Sequence, residues 1–513
     1  MKEKILYKLF LILLFCAAGT TAAAAKISGV SPEGSGLVNT VKLEPADTPE
    51  QVTWKAAHVT PTRNQYNWQQ LEYTMFVHFG MNTFSNVEWG EGTENPKSFN
   101  PLKFDARQWA QVARDSGMKM IIVTAKHHDG FCLWPSRFTE HSVKNSPWRD
   151  GKGDVVKEVS EAARAAGLKF GFYLSPWDRH EATFGTPAYD EYYLNQLREL
   201  LTNYGEVSEV WMDGACGSMD PRCEGVKYAW DRIFPLIREL QPNAVLSIYG
   251  PDVRWVGNEA GGSRKQEWSV IPIDSAILDY MGEDLGSREV LLGAAKSGAT
   301  LRWYPAQTDT SVRPGWFYHP GEDYMVKPVE KLVDLYLRAV GGNSQLLLNV
   351  PPGPDGLIHK NDWRILKKVW NIISKMFDKN IAAGANAVAN TSRGDQLQYA
   401  AGNAVDGDYE TYWMTHDGVE GAEVVLDLRK PEKFNILVLQ EQIMVGQRIE
   451  EFALDAEVDG AWKEVARGET VGYKKILHFD AVTARRARLR ILRSRVAPAV
   501  SEIGLFFSDY FDK

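Results

Sequence analysis

The sequence predicts a parallel (β/α)8-like (TIM-type) barrel followed by an all-β sandwich. From about residue 70 to 378, short apolar runs alternate with amphipathic helical stretches. Repeated strand–helix units build a parallel sheet, and this many units in about 300 residues favour a closed barrel over an open doubly wound sheet. After about residue 382 the helical periodicity gives way to alternating runs separated by turn residues. That is the pattern of a β-sandwich of about 125 residues.

Taken in order, residues 1–25 read as an export signal that lies outside the fold. Lys2, Lys4 and Lys8 make a positive start, 9–18 is apolar but too short to span a bilayer, and 22–25 are all alanine. The expected compartment is periplasmic or extracellular. A lipid anchor at Cys16 is disfavoured by the bulky Phe15 before it. The barrel domain is expected over 26–380, with strands at 75–79, 118–124, 168–174, 207–212, 244–249 and 345–350. Between them fall helices at 105–116 (stopped by Gly117), 154–167 (capped by Asp154) and 189–203 (ending before Gly205), then one that ends at Leu240. Two more are expected at 324–340 and 362–377. The stretch 262–322 is irregular and leaves the later strands unplaced. The boundary falls near 380–384, and the sandwich domain, 381–513, shows strand-like runs at 423–428, 435–440, 452–458 and 486–492.

Composition narrows the function. The chain has 513 residues with 17 Trp, 20 Tyr and 21 Phe, too many aromatics for a disordered segment. A net charge of −8 without a basic run excludes the electrostatic footprint of nucleic-acid binding or of an anionic membrane surface. No apolar run is long enough to cross a bilayer, and no G-x-G-x-x-G follows the first strand to bind a dinucleotide. Past the export signal the cysteines are Cys132, Cys216 and Cys223. The last two are close enough to pair, leaving Cys132 free, and unpaired thiols fit equally well.

Catalytic groups of a parallel barrel gather at the C-terminal ends of its strands. Here those ends carry His78, then Glu88 and Trp89; His127, His128 and Asp129; Trp177; Trp211 and Asp213; and, after the fifth run, Glu259. A metal bound by His78, His127, His128 and Asp213 is the competing idea. It is disfavoured because adjacent histidines on a strand point to opposite faces, and because the tryptophans suit a sugar ring better than a hydrated ion. Two carboxylates fit hydrolysis of a glycosidic bond, one attacking the anomeric carbon and one protonating the leaving oxygen. Asp213 and Glu259 stand on consecutive strand ends and supply the pair, with Glu267 and Glu224 in reserve.

At these residues the chain resembles the α-L-fucosidases of glycoside hydrolase family 29, over roughly 70–378. The matching segments are FVHFG (76–80), EWG (88–90), AKHHDGFCLWPS (125–136), GFYLSPWD (171–178), EVWMDG (209–214) and LLLNVPPGPDG (346–356). The resemblance implies a barrel with some helices irregular or missing and a retaining mechanism with Asp213 as nucleophile. Glu259, in RWVGNEAG, resembles the acid/base of the subgroup acting on branched α-1,3/1,4 linkages of Lewis type. His78, Glu88, Trp89, His127, His128, Trp211 and Trp316 match fucose-pocket positions. Imidazoles and Glu88 would bond the hydroxyls, and Trp211 and Trp316 would pack the ring face and methyl. No cofactor is implied for catalysis. The C-terminal part resembles a discoidin, or F5/8 type C, domain through NAVDGDYETYW (403–413) and SEIGLF (501–506), related to family 32 carbohydrate-binding modules and jelly-roll-like. That resemblance implies a structural calcium at Asp406, Asp408, Thr411 and Glu502. The expected activity is release of terminal L-fucose from fucosylated glycans. The alternatives are another exo-glycosidase, such as an α-L-galactosidase, and an inactive carbohydrate-binding protein.

Overall fold

The computed structural model describes residues 38–216, 220–273 and 284–512. The export signal and Cys16 lie outside the described residues. Eight strands form one sheet: β1 (Tyr73–Val77), β2 (Met120–Lys126), β3 (Lys169–Leu174), β4 (Glu209–Met212), β5 (Val245–Ile248), β6 (Arg254–Trp255), β7 (Ala306–Ser311) and β8 (Ser344–Asn349). Every pairing among them is parallel, in the order β5-β4-β3-β2-β1-β8-β7-β6. A parallel bridge from Ser247 to Val253 brings β5 to β6 and all but closes the barrel. The outer layer is helical: α1 (Ala106–Asp115), α2 (Val155–Ala165), α3 (Pro187–Asn203), α4 (Trp230–Leu240), α5 (Arg288–Lys296), α6 (Val329–Val340) and α7 (Lys360–Met376). No helix separates β5 from β6, so the ring of helices is irregular there.

Local chemistry explains the boundaries. Asp105 caps α1 by accepting from the Arg107 amide at 3.0 Å, and Asp154 caps α2 by accepting from Lys157 at 2.9 Å. Gly117 and Gly167 follow these helices with φ of +75° and +73°, the left-handed turn that ends a helix at little cost. The helix expected over 324–340 starts only at Val329, because Pro328 keeps the residue before it out of the helical region. β6 and β7 escaped the sequence reading. β7 is Ala-Gln-Thr-Asp-Thr-Ser, polar yet buried at all six positions, and its alternate residues Gln307 and Asp309 hydrogen-bond Glu209, Gln345 and Trp255.

The second unit is antiparallel: β9 (Asn386–Ala389), β10 (Trp413–Met414), β11 (Ala422–Glu441), β12 (Ile449–Val458), β13 (Ala461–Glu469), β14 (Lys475–Ser494) and β15 (Ala499–Phe506). Their order is β10-β15-β11-β14-β12-β13, with β9 on β11. The runs expected at 423–428 and 435–440 are one 20-residue strand, β11, whose register with β14 breaks between Asp427 and Glu432 and again before Ile436. Such breaks bend a long strand.

The two units share packing. Ile436, Val438 and Phe506 of the sandwich belong to the main barrel core. Glu72, just before β1, accepts from the Tyr473 hydroxyl at 3.1 Å and pairs with the Lys474 ammonium. Arg288 of α5 pairs with Glu450 at 2.8 Å. The sandwich thus braces the N-terminal rim of the barrel, opposite the end that carries His78.

Candidate active site at the barrel mouth

Asp213 is the first residue past β4. Its Oδ2 accepts from the Tyr173 hydroxyl at 3.0 Å and its Oδ1 from the Ala215 amide at 2.7 Å. One donor on each oxygen fixes the rotamer and leaves lone pairs for a partner in the pocket. The loop beyond is stapled by a disulfide between Cys216 and Cys223, while Cys132 stays free and buried. Asp220 in that loop accepts from Trp177 Nε1 at 3.0 Å and from Arg222, tying the loop back to the end of β3.

Three imidazoles cluster beside this carboxylate, His78 and His128 feeling its charge and His127 packed against both. Burial pushes His78 down to about 4, holds His127 far below the usual histidine range, and lowers His128 even against the charge of Asp213. All three are therefore neutral near pH 7, and their neighbours fix which nitrogen carries the proton. Asn349 Nδ2 donates to Ser311 Oγ at 3.0 Å and to the Trp316 carbonyl at 2.7 Å, so its Oδ1 accepts from His78 Nδ1 at 2.9 Å. Ser175 Oγ donates to the Trp177 carbonyl at 2.6 Å, so His128 Nδ1 donates to that oxygen at 2.7 Å. Asn82 Oδ1 accepts from the Gly90 amide, so its Nδ2 faces His127 Nδ1 at 3.3 Å. His78 and His128 thus keep Nε2 as acceptors, and His127 keeps Nε2–H as a donor. Two acceptors and one donor match a sugar that offers several hydroxyls. His128 Nε2 stands 3.8 Å from Asp213 Oδ2, beyond hydrogen-bond reach.

The adjacent histidines do not face opposite ways, as alternation on a strand would require. β2 ends at Lys126, the chain turns, and the rings of His127 and His128 lie 4.2 Å apart. Strand alternation therefore does not keep the two rings apart or speak against a metal. Even so, among the described residues no group of three or more His, Cys, Asp or Glu side chains is arranged to hold an ion.

The aromatic wall is built from below. Trp211 is buried on β4, donates to Gln307 Oε1 at 2.9 Å and stacks on Tyr173 at 5.3 Å. Under it Glu209 accepts from Trp68, Ser247 and Gln307, and burial pushes its carboxyl up to about 7. Trp89 is 40% exposed at the rim, edge-on to His128 and Trp177.

Glu88 has a task the sequence did not suggest. Its oxygens accept from the Trp316 and Phe317 amides at 2.7 and 3.1 Å and bond His319 Nε2 at 2.7 Å. It caps the segment 314–319 after β7, called here the strap. Trp316 Nε1 in turn donates to Glu259 Oε2 at 3.4 Å.

Glu259 is exposed on the loop after β6. Partial desolvation, then the charges of Asp213 and Glu88, raise its carboxyl above the usual range, while the Trp316 hydrogen bond opposes them. Of the reserve carboxylates, Glu267 is buried against Arg254 and Arg264, and Glu224 sits exposed past the turn Pro221–Cys223. Tyr173, Asn349, Gln307, Asp309 and His319 went unmarked by the sequence. Asp309 is a buried β7 carboxyl that accepts from Trp255 Nε1 at 2.8 Å, and burial pushes it up to about 8.

In the sandwich, Asp406 accepts from the Asp408 amide and the Thr411 hydroxyl, Asp408 accepts from the Glu410 amide, and Glu502 accepts from the Gly407 amide and Asn380. The oxygens of these four residues are thus bonded to amides and side chains around one turn, and among the described residues Asp406, Asp408 and Glu502 do not form a group arranged to hold an ion.

Comparison with known proteins identifies the family of each unit. The α-L-fucosidase family model matches residues 39–375, and the F5/8 type C domain model matches 386–503. Alpha-L-fucosidase 1 of Arabidopsis thaliana is 42% identical over 88% of both chains. The crystal structure of a putative alpha-L-fucosidase from Bacteroides ovatus superposes with a TM-score of 0.82 at 43% identity, covering 92% of this chain and 78% of that one. A fucose-bound family 29 fucosidase of Ruminococcus gnavus superposes at 0.78 with 32% identity, covering 91% and 99%. With its eight-stranded parallel barrel, its discoidin-type sandwich and these relatives, the chain belongs to the α-L-fucosidases of glycoside hydrolase family 29.

Proposed function

We propose that the protein is exported and releases terminal α-1,3/1,4-linked L-fucose from Lewis-type glycans with retention, through a covalent fucosyl–Asp213. The observation that carries the reading is the pairing of a pinned carboxylate at the end of β4 with a carboxyl of raised affinity for its proton, Glu259, which feels that carboxylate's charge. In the first step Asp213 attacks C1. The C1–O bond breaks, and the leaving oxygen takes the Glu259 proton. In the second, Glu259 takes a proton from water, the hydroxide oxygen bonds C1, and Asp213 leaves. The neutral imidazoles hold hydroxyls by hydrogen bonds that a sugar lacking them would leave unmet, a source of strong discrimination. The Cys216–Cys223 disulfide fits an oxidising compartment and supports export.

Proton NMR of the first minutes of hydrolysis tests the stereochemistry. The α-anomer of L-fucose is expected first, and initial β-fucose would defeat the double displacement. Parallel incubation with Lewis a trisaccharide and 4-nitrophenyl α-L-fucoside tests the linkage. Turnover of the trisaccharide well above that of the aryl fucoside is expected, and the reverse order would remove the α-1,3/1,4 assignment.

A further inference from the structure

We propose that His319 is a positioning residue that pins the loop after β1 to the strap after β7 and thereby sets Trp316 beside Glu259. The inference rests on Glu259 serving as the acid/base. His319 uses both ring nitrogens, Nδ1 with the Asn86 side-chain amide at 2.8 Å and Nε2 with Glu88 Oε1 at 2.7 Å. Both partners belong to the β1 loop, while His319 lies at the end of the strap, so one ring ties the two segments. A carboxylate accepts, so Nε2–H is the donor. The bond orients Glu88, whose oxygens then collect the Trp316 and Phe317 amides.

The sequence is built to admit this carboxylate. A Cβ at position 315 would collide with Glu88 Oε1, and Gly315 has none. The far side of the strap is held independently, by the Trp316 carbonyl on Asn349 Nδ2 at 2.7 Å and by the Arg313–Asp362 ion pair at 2.9 Å. What the strap delivers are two rings. Trp316 lies 5.1 Å from His78, and Phe317 lies edge-on to His78 and His127 at 5.3 and 5.0 Å. Trp316 also places its indole N–H on Glu259. His319 therefore acts on the reaction through Glu88 and Trp316.

A pH profile separates this role from a merely structural one. The charged or titratable groups facing Glu259 are Asp213, Glu88 and the buried Asp309, and Trp316 supplies the donor that favours its ionised form. Loosening the strap withdraws that donor, so the alkaline limb of kcat/KM, where Glu259 loses its proton, moves to higher pH. His319→Ala is expected to lower kcat/KM by about 10- to 100-fold, the scale of a small misplacement in an active site, and to move the limb upward. His319→Gln, which restores a donor toward Glu88, recovers part of both. Trp316→Phe moves the limb the same way, and the double variant His319→Ala/Trp316→Phe moves it no further, because both act through one contact. An unmoved limb in folded His319→Ala and His319→Gln, or additive shifts in the double variant, would overturn the proposal. If Glu259→Ala itself kept the wild-type alkaline limb, the acid/base assignment would fail instead, which is a different result.

Discussion

At the scale of single residues, two carboxyls divide the labour of the proposed mechanism. Asp213→Ala removes the oxygen that attacks in the proposed mechanism, so release of fucose from any substrate should cease while the fold survives, as read by thermal denaturation. Glu259→Ala should slow natural glycans by about 10²–10⁴-fold, the usual worth of a general acid, and azide should restore turnover of activated aryl fucosides by replacing water as the nucleophile. Wild-type rates in Glu259→Ala would remove it from the mechanism. Asp309 gives a pH-dependent stability test. Its native value of about 8 lies far above the ordinary aspartate value of 3.8. Its proton therefore stabilises the native state fully below pH ~4, and that contribution drains away as pH rises toward 8. Asp309→Asn keeps the acceptor for Trp255 without titrating. Its Tm advantage over the parent should grow between pH 4 and 8 and level off above. An advantage that stays flat over that range would show that the carboxyl titrates normally. The candidate carboxyls and histidines could be read from the sequence because each follows an apolar run. Tyr173, Asn349 and His319 could not, because their importance comes from partners 40, 271 and 231 positions away.

At the scale of elements, strands whose outward faces pack under helices announce themselves as apolar runs, and six were placed within a few residues. β7 and β6 hide for a physical reason. On β7 Gln307 bonds Glu209 and Asp309 bonds Trp255, so that strand carries no hydrophobic signature, and β6 is only two residues long. The opposed-face reading of His127 and His128 failed at a boundary, since strand alternation ends where the strand does. The strap carries no periodicity, and only Trp316 in it is marked by the family resemblance, yet it is fixed at both edges. Gly315→Ala should therefore behave as a strap variant. The methyl group displaces Glu88, and kcat/KM should fall by about 10-fold or more with little change in Tm, measured by steady-state kinetics beside a thermal scan. Unchanged kinetics would mean that the Glu88 cap is dispensable.

At the scale of the whole molecule, the division into barrel and sandwich was legible from the change of period, but their interdependence was not. Periodicity says which face of a strand is buried, not against what. Ile436, Val438 and Phe506 complete the barrel's own core, and Lys474 and Glu450 pair with Glu72 and Arg288 across the seam. A chain ending at residue 380 would expose that apolar surface and leave Glu72 without its cation. Such a truncation should give little soluble protein and no fucosidase activity, whereas a soluble, active barrel would show that the sandwich is an independent appendage.

The most direct test of the central claim is to trap the covalent intermediate. In 2-deoxy-2-fluoro-α-L-fucosyl fluoride the 2-fluorine slows both steps by destabilising their oxocarbenium-like transition states, while the fluoride leaving group restores the rate of the first only, so the fucosyl-enzyme accumulates. Peptide mass spectrometry of the inactivated protein should find one fluorofucosyl group, carried by Asp213. A label on any other residue, or hydrolysis of the reagent with inverted stereochemistry and no label, would contradict the account.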